Sequence, residues 1–259
     1  MRFHGSLINP GSGKSQFIEQ HREQFSNVST KVVELTSSTD LPAEVALATD
    51  EGCETVIAAG GDGTVNAAVN ALMMIETGRR PKLAIIPLGT ANDFAGTLQI
   101  SDDIDSVVNS LDQGRYEWID VVQIEATGFK SYYANIAAGG NSVRVSEQST
   151  DAIKETWGAF CYIRGSFGVL GNLETYHLVA DLGDERIEVD SWGVLVANGR
   201  TTAGHIAVAP LASPSDGLIG LSCNMKTGRC KCEKLAFIHR LRSVDSIAKL
   251  EQMEMSSSR

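Results

Sequence analysis

The stretch VIAAGGDGTVNAAVN, residues 56–70, constrains the fold of this chain more than any other segment. Its first four residues form an apolar run that predicts a buried strand, and from Thr64 onward apolar residues recur at the i, i+3, i+4 and i+7 spacing of one helix face. The three glycines therefore lie in a strand-to-helix turn. At the carboxyl edge of an α/β sheet, the unpaired N–H groups and positive dipole of a helix start favour an anion. We interpret the turn as a phosphate-binding loop; the alternative is a tight turn that uses glycine only for backbone freedom.

The order of predicted elements changes along the chain. Up to about residue 120, short apolar runs alternate with helical patterns, which is typical of a parallel sheet covered by helices. From Ile119 onward one strand pattern follows another, which indicates an antiparallel β-sandwich or barrel. The predicted fold class is therefore α/β plus β: an α/β domain over residues 1–120, followed by a β-rich domain over residues 121–259.

Charge and composition exclude several classes of function. Lys and Arg number 22 against 32 Asp and Glu, and the net charge of −10 disfavours binding along a phosphate backbone, so we expect no nucleic acid partner. The five cysteines lack paired CxxC spacing, which predicts reduced, mostly packed thiols rather than disulfides or a zinc site. No apolar run has the length of a membrane span, and the first residues lack the apolar core of a signal peptide. We expect a cytoplasmic protein.

Two widespread phosphate-binding motifs do not fit the sequence. Gly61 and Gly63 could begin a GxGxxG motif, but Asn66 stands where the third glycine belongs. The segment PGSGKS has Ile8 where the pattern GxxxxGK[ST] requires its first glycine. The loop is therefore neither an ordinary dinucleotide fingerprint nor a Walker A loop.

Three motifs in fixed order point to a family: NPGSGKS at residues 9–15, GGDGTVN at 60–66 and PLGTANDFA at 87–95. Together they resemble the catalytic domain of the diacylglycerol kinase and sphingosine kinase family, specifically its short bacterial lipid kinases. The resemblance continues through YYANIAAGG, WGVLVANGR and VAPLASPSDGLIGL, so it covers nearly the whole chain. It implies an NAD kinase/diacylglycerol kinase-like domain followed by a β-sandwich. It also implies transfer of the γ-phosphate of ATP, with Mg²⁺, to the hydroxyl of diacylglycerol or a related lipid.

In that family the glycine loop and neighbouring turns bind the nucleotide. The matching positions here are Asn9, Thr36, Gly60, Gly61, Asp62, Gly63, Thr64, Val65, Asn66, Gly89, Thr90 and Asn92. Hydroxyls and main-chain N–H groups donate to phosphate oxygens without adding bulk, whereas a carboxylate beside a phosphate requires a cation. Asp62 and Asp93 therefore imply Mg²⁺, and Lys14 is expected to pair with Asp93 or to steady a phosphate.

The resemblance also implies a metal site in the second domain. The family holds a magnesium ion in the segment that corresponds to SPSDGLIG, where the matching positions are Asp216, Ser213 and Leu218. A carboxylate with main-chain carbonyl oxygens is a ligand set that suits Mg²⁺. Taken alone, SDG would indicate a hairpin turn.

The chain departs from the family in two places. Ala67 replaces the glutamate that usually follows the loop, which removes a carboxylate from the first turn of the helix. The family's general base, an aspartate in a DGE-type motif beyond SDGLIG, has no counterpart, because Asp245, Glu251 and Glu254 stand in no matching motif. We therefore identify no catalytic base. We expect a truncated β-rich domain, without the segment that returns to the first domain, and slow phosphate transfer.

Two segments are candidates for contact with lipid. Residues 141–171 resemble the helical excursion that walls the lipid site in relatives. Its large apolar side chains either contact an acyl chain or pack in a core: Trp157, Phe160, Tyr162, Phe167 and Leu170. The basic stretch 226–242 is either a helix that contacts the membrane surface transiently or an ordinary exposed helix. Its cations are Lys226, Arg229, Lys231, Lys234, Arg240 and Arg242.

Two other functions stay open beside the lipid kinase. NAD kinases share a GGDGT loop, so a kinase with a soluble substrate is the second candidate. A nucleotide- or lipid-binding relative without activity is the third. NPGSGKS and PLGTANDFA favour the lipid kinase over the NAD kinase.

Overall fold

The computed structural model of the chain describes residues 4–8, 31–101, 103, 106–107, 116–126, 128–141, 174–181, 186–225, 239–242 and 250–256. The helices are α1 (Leu41–Asp50), α2 (Asp62–Met73) and α3 (Asp93–Thr97), with a 3₁₀ turn at Thr77–Arg79. The first four strands are β1 (His4–Ile8), β2 (Lys31–Glu34), β3 (Thr55–Gly60) and β4 (Lys82–Pro87). The later strands are β5 (Tyr116–Ala126), β6 (Phe129–Tyr133), β7 (Ile136–Gly140), β8 (Tyr176–Asp181), β9 (Arg186–Ala197), β10 (Thr201–Thr202), β11 (Ile206–Ala207), β12 (Leu218–Met225), β13 (His239–Arg242) and β14 (Leu250–Ser256).

One large sheet contains strands from both ends of the described chain. Its order is β2-β1-β3-β4-β14-β5-β6. Strands β1 to β4 run parallel, whereas β5 and β6 pair antiparallel. The parallel part of the sheet, with its helices, confirms the α/β prediction. The predicted boundary at residue 120 falls inside β5, which pairs within this sheet on both sides of that residue.

The strand β14 returns the chain to the first sheet, which corrects the expectation that the returning segment is lost. It lies between β4 and β5, parallel to the first and antiparallel to the second. Its pairing with β5 runs from Leu250 opposite Val122 to Ser256 opposite Tyr116. The expectation failed because it was tied to the missing DGE motif, whereas strand pairing requires only an extended main chain with free N–H and C=O groups.

The core of the first domain lies between the parallel strands and their helices. All six residues of β3 are buried, and Ile57, Leu72 and Leu83 are fully buried. Burial of each such side chain contributes about 1.5–3 kcal/mol. The apolar stripe of α2 faces this core, as its periodicity predicts. The packing of α2 therefore fixes the position of the glycine turn at its start.

Strands β7 to β13 form antiparallel sheets, which confirms the second half of the predicted fold class. One sheet has the order β13-β12-β9-β7, with β8 also paired to β9, and β10 and β11 form a small hairpin. All of the described pairs in these sheets are antiparallel. The change from alternating elements to consecutive strands thus begins within the large sheet, with β5 and β6, and the other sheets begin with β7.

Part of the basic stretch is a strand. His239–Arg242 pairs antiparallel with β12, so the predicted helix is wrong for Arg240 and Arg242, because cross-strand hydrogen bonds to β12 take the place of helical ones. The rest of that stretch, and the predicted lipid-wall segment from residue 142 onward, lie outside the described residues. No helix in the described part of the chain is long and apolar enough to cross a membrane.

The two described cysteines behave as packing residues. Cys53 is buried and Cys223 is half-buried, and both are free thiols. Burial raises the pKa of each thiol, and the Sγ of Cys53 donates to the Thr55 carbonyl at 3.2 Å. The remaining cysteines lie outside the described residues.

Candidate functional site

The turns that follow β3 and β4 meet main chain to main chain. A Cβ atom added to Gly61 would lie 3.1 Å from the Cα of Gly89, and one added to Gly89 would overlap the Cα of Gly61. The N–H of Leu88 donates to the carbonyl of Gly60 at 3.0 Å. Because β3 and β4 are adjacent parallel strands, this contact lies at the carboxyl edge of the sheet, where ligands bind in α/β folds. The approach therefore requires glycine at position 89, whereas a Cβ at position 61 would make a contact tighter than most.

The helix α2 starts without a side-chain cap. Gly61 occupies the N-cap position with φ −92° and ψ −171° and has no side chain that could cap the helix. The first helical hydrogen bond runs from the N–H of Val65 to the carbonyl of Gly61, at 3.1 Å. The N–H groups before Val65 consequently point out of the helix end. Gly63 is exposed, with no heavy atom within 4 Å of its missing Cβ, so the helix start has room for an anion.

Asp62 connects α2 to α3. Its Oδ2 accepts a hydrogen bond from the N–H of Asp93 at 3.1 Å, and its Oδ1 accepts one from the N–H of Phe94 at 3.0 Å. Both bonds come from N–H groups at the start of α3, and such charge-assisted hydrogen bonds stabilise a carboxylate there. Asp62 therefore caps α3 while it belongs to the first turn of α2. The helix start lies at Asp62 rather than at Thr64, where the apolar period begins.

Asn92 shapes the second glycine turn. Its Oδ1 accepts from the N–H of Gly89 and its Nδ2 donates to the carbonyl of Gly89, each at 2.9 Å. Asn92 is buried and has the left-handed φ of 51° that asparagine tolerates better than most residues. The neighbouring Thr90 is exposed. The side-chain amide of Asn92 is thus used within the loop, and the exposed loop face carries Thr90.

Asp93 joins α3 to the hairpin formed by β10 and β11. Its Oδ2 accepts from the N–H of Gly204 at 3.0 Å, and its Oδ1 accepts from the N–H of His205 at 2.6 Å. The side chain is buried, with 5% of the residue exposed. Both carboxylate oxygens are therefore held by the turn between β10 and β11. The cation predicted to neutralise Asp93, Lys14, lies outside the described residues.

The predicted metal-binding segment forms a turn before β12. The exposed carboxylate of Asp216 accepts from the N–H of Leu218 at 3.1 Å, and the hydroxyls of Ser213 and Ser215 lie 3.4 Å apart. Buried Asp120 of β5 accepts from the N–H of Gly217 at 2.7 Å. The potential metal ligands near this turn are thus oxygen atoms, which suit Mg²⁺.

A metal ion at this turn would depend on main-chain oxygens. Within the described ranges, no group of three or more His, Cys, Asp and Glu side chains could hold a metal ion. The ligand set implied by the resemblance needs no such group, since it combines the Asp216 carboxylate with main-chain carbonyl groups. The residues present therefore fit a hard divalent cation, although they form no cage of side chains.

Residues 6–124 match the family model of the diacylglycerol kinase catalytic domain. This part of the chain is therefore similar to a diacylglycerol kinase catalytic domain. The chain is 34% identical over 187 residues to the "Probable lipid kinase YegS-like" of Cronobacter sakazakii, covering 70% of this chain and 60% of that protein. It is 29% identical over 225 residues to the diacylglycerol kinase of Staphylococcus saprophyticus, covering 83% of this chain and 70% of that protein. The chain thus spans 60–70% of the length of these curated relatives.

The fold of the whole described chain is that of solved diacylglycerol kinases. A crystal structure of a diacylglycerol kinase from Bacillus anthracis aligns with a TM-score of 0.70, covering 99% of this chain and 97% of that one. The sequence identity is 18%, so this likeness concerns the fold alone. The alignment covers 99% of this chain and so includes the antiparallel sheets that follow residue 124.

The other residues predicted to bind the nucleotide differ in exposure. Thr64 and Val65 are buried in α2, whereas Asn66 is exposed and its carbonyl accepts from Asn70 Nδ2 at 2.9 Å. Ala67 is half-buried against the core, where the family glutamate would bring a charge. The first turn of α2 therefore presents main chain rather than side chains at its exposed face.

Thr36 stands apart from the two glycine turns and follows β2, which is separated from β3 by β1. It is exposed after β2, and its hydroxyl lies 3.0 Å from the hydroxyls of Ser38 and Thr39. Asn9, predicted to contact the nucleotide from the turn after β1, lies outside the described residues. Among the described residues, the structure brings together the turns after β3 and β4. Asp62 links them to α3, and Asp93 links α3 to the β10–β11 hairpin.

Three polar residues that the motifs did not single out connect these parts. Asn198 is fully buried, and its Nδ2 donates to the carbonyls of Asp120 at 2.8 Å and Ala134 at 2.7 Å. Asn70 bonds both main-chain groups of Tyr132, its Nδ2 at 2.8 Å and its Oδ1 at 2.9 Å. Asp120 is the third. The available signal was a polar residue inside an apolar run, as in the helix segment AAVNAL or the strand segment IDVV, and this signal identifies no partner.

Proposed function

We propose that this protein is an ATP-dependent lipid kinase that transfers the γ-phosphate to a lipid hydroxyl, with diacylglycerol or a related lipid as acceptor. The observation that carries the proposal is the main-chain contact of Gly61 with Gly89 beside the open start of α2. The names of the relatives, lipid kinase and diacylglycerol kinase, support the class of acceptor. As a cytoplasmic enzyme it would meet its substrate by transient contact with the membrane surface.

The nucleotide phosphates would bind the N–H groups of the first turn of α2. This proposal is supported by the space beside Gly63 and by the anion preference of a helix start. Thr90, exposed on the adjacent turn, and Thr36, exposed after β2, would donate hydroxyl groups. Asn9 and Lys14 would complete the site from the turn after β1. Phosphoryl transfer depends mainly on such positioning and on charge stabilisation.

The carboxylates have separate tasks in this proposal. Asp62 holds α3 in place through the N–H groups of Asp93 and Phe94, so its effect on the nucleotide is to fix the two glycine turns relative to each other. Asp216, with the carbonyl groups of Ser213 and Leu218, would hold Mg²⁺. When bound, the ion would supply positive charge that stabilises the transferring phosphoryl group.

General-base assistance is typically worth about 10²- to 10⁴-fold in phosphate transfer. Asp245, Glu251 and Glu254 stand in no motif that matches the family's general base, so we assign none of them to that role. A relative that binds nucleotide without transferring phosphate is the second candidate function.

Transfer of labelled phosphate from ATP distinguishes these functions. The purified chain is incubated with Mg²⁺ and labelled ATP beside diacylglycerol, phosphatidylglycerol, a sphingoid base or NAD, and each product is separated. We expect label in a lipid and none in NAD. Label in NAD alone would replace the proposal with the soluble-substrate kinase, and binding of ATP without any labelled product would support the inactive relative.

A further inference from the structure

The turn between β10 and β11 has a main chain that needs external support. Ala203, Gly204 and His205 all have positive φ, at 60°, 86° and 70°. Glycine adopts this region readily, whereas alanine and histidine are disfavoured there by contact between Cβ and the carbonyl. Three consecutive residues of this kind persist where surrounding groups hold them. The exposed position of Gly204 and His205 makes such support more necessary.

Asp93 provides that support. Successive N–H groups of the turn, those of Gly204 and His205, donate to the two oxygens of its carboxylate at 3.0 and 2.6 Å. Converging N–H groups of a left-handed turn form a small anion-binding nest, and here the anion is a side chain of the protein itself. The hydroxyl of Thr201 also donates to the carbonyl of Asp93, at 3.1 Å. Burial of the carboxylate strengthens these bonds relative to bonds in water.

The helix that carries Asp93 is held at both ends. Its start is capped by Asp62 of α2, and at its last residue the hydroxyl of Thr97 accepts from the N–H of Arg200 at 3.2 Å. The ring of His205 lies over Gly96, where an added Cβ would be 2.8 Å from Nδ1. The helix α3 therefore lies between the glycine turns of the first sheet and the hairpin that precedes the metal-binding turn.

We propose that Asp93 is a positioning residue that fixes the β10–β11 hairpin to the glycine turns through the contact of α3 with Asp62. In this role it contacts neither nucleotide nor metal. Its kinetic consequence rests on the proposed function: the hairpin and the nucleotide loop keep one relative position, so the parts of the active site contributed by the two sheets stay aligned. Alignment of reacting groups affects the chemical step more than the binding of ATP.

Amide hydrogen exchange tests the contact without any assay of activity. In the wild-type protein we expect slow exchange at Gly204 and His205, although their turn is exposed. Asp93→Asn leaves at least one of the two N–H groups without an acceptor and should accelerate their exchange about 10- to 100-fold, the loss expected for hydrogen bonds to a charged group. His205→Ala is the matched control, because it keeps the main-chain donor and should leave the protection of Gly204 unchanged.

A second substitution keeps the test informative if Asp93→Asn loosens the whole protein. Ala203→Gly removes the left-handed penalty of one residue, so in the Asp93→Asn background it should recover about 5-fold of the lost protection. Exchange of the β3 amides reports whether the first sheet stays folded. Unprotected Gly204 and His205 in the wild-type protein, or equal protection in wild type and Asp93→Asn, would overturn the assignment.

Steady-state kinetics then separate positioning from binding. With lipid acceptor, Asp93→Asn should lower kcat while the KM for ATP changes less than about 3-fold, because the N–H groups of α2 remain in place. A raised KM for ATP with unchanged exchange at Gly204 and His205 would instead make Asp93 a nucleotide-binding residue and overturn the proposal. If the wild-type protein transfers no phosphate, the proposed function fails, whereas the exchange result still decides whether Asp93 holds the hairpin.

Discussion

The side-chain amide of Asn92 bonds both main-chain groups of Gly89, with two hydrogen bonds of 2.9 Å. These two bonds fix the turn after β4, in which Gly89 contacts Gly61 main chain to main chain. It gives a physical reason for the spacing of the PLGTAND segment: the asparagine must stand three residues after the glycine to close the turn. The geometry of the candidate nucleotide site thus depends on a buried side chain that bonds within its own loop.

Substitution of Asn92 should separate its hydrogen bonds from its backbone conformation. Asn92→Ala loses both buried bonds and keeps an unfavourable positive φ, so we expect a loss of about 3 kcal/mol in the free energy of unfolding. Asn92→Gly loses the bonds but accepts the positive φ, and should lose about 1 kcal/mol less. Urea unfolding of the three proteins measures both differences. Equal losses in the two variants would mean that the left-handed conformation contributes nothing.

Gly89→Ala should separate the two glycine turns. Its Cβ would overlap the Cα of Gly61 and lie 2.7 Å from Asn92 Oδ1, so main chain has to move. We predict that Mg·ATP no longer raises the melting temperature of this variant, because the N–H groups no longer converge. Gly78→Ala is the control: Gly78 is exposed with no heavy atom near its missing Cβ, and it should keep the full ATP-induced shift. An undiminished shift in Gly89→Ala would remove this turn from the nucleotide site.

The sequence predicts the glycine turn well because its signals are local. An apolar run, three glycines and a helical period lie within fifteen residues, and each constrains the main chain directly. The two-residue difference in the start of α2 arises because helical periodicity shows only apolar positions, whereas Asp62 and Gly63 join the first turn without contributing to the stripe. Boundaries defined by polar residues are therefore less visible in the sequence.

The links between the sheets could not be predicted in the same way. Asp93 and Gly204 are 111 positions apart, and no local pattern pairs a helix-start aspartate with a distant hairpin. The placement of β14 between β4 and β5 is equally non-local, since strand pairing depends on which edge remains free after the other strands have paired. The family resemblance supplied the order of domains but assigned Asp93 to nucleotide and metal rather than to main-chain donors.

Asn70 should contribute strongly to the docking of β6 on α2. Its amide bonds both main-chain groups of Tyr132, and its Oδ1 also accepts from the Ser131 hydroxyl at 3.0 Å. Asn70→Ala should cost about 2–3 kcal/mol of unfolding free energy, because main-chain groups lose partners. Asn70→Asp keeps the acceptor but not the donor to the Tyr132 carbonyl, and should lie between alanine and wild type. Chemical denaturation measures the free energy of unfolding of wild type, Asn70→Ala and Asn70→Asp. A loss below about 0.5 kcal/mol in Asn70→Ala would show that water replaces the amide.

Tyr133 predicts a pH effect at the alkaline end. Burial raises the pKa of its hydroxyl above the ordinary value of 10.0, so the folded protein holds the proton more tightly than the unfolded chain. The stability gained in this way is complete below about pH 10, the unfolded value, and is lost as the pH rises toward the folded pKa. Unfolding measured between pH 9 and 11 should therefore show a steeper loss of stability in wild type than in Tyr133→Phe.

The same variant tests the hydrogen bonding of Tyr133. Its hydroxyl is buried with no hydrogen-bond partner among the described residues. Removal of an unpaired polar atom should leave Tyr133→Phe at least as stable as wild type at pH 7. A loss of more than about 1 kcal/mol there would reveal a partner for the hydroxyl.

Asp216 should set the Mg²⁺ dependence of the reaction. If its carboxylate holds the ion with the carbonyl groups of Ser213 and Leu218, Asp216→Asn should require about 10-fold more Mg²⁺ for half-maximal transfer at constant MgATP. Asp50→Asn is a suitable control, because Asp50 is an exposed carboxylate paired with Arg79 on the surface. Identical Mg²⁺ titrations for wild type and Asp216→Asn would locate the metal elsewhere.

The most direct test of the nucleotide site is hydrogen exchange of the wild-type protein with and without Mg·ATP. Bound phosphates accept hydrogen bonds from the first turn of α2 and from the adjoining turn, so the account predicts slower exchange at residues 61–64 and at Thr90. The strands β8 and β9, which lie in the other sheet, should show no change. Binding of ATP that protects other segments and leaves residues 61–64 unchanged would contradict the assignment of the glycine turns as the phosphate site.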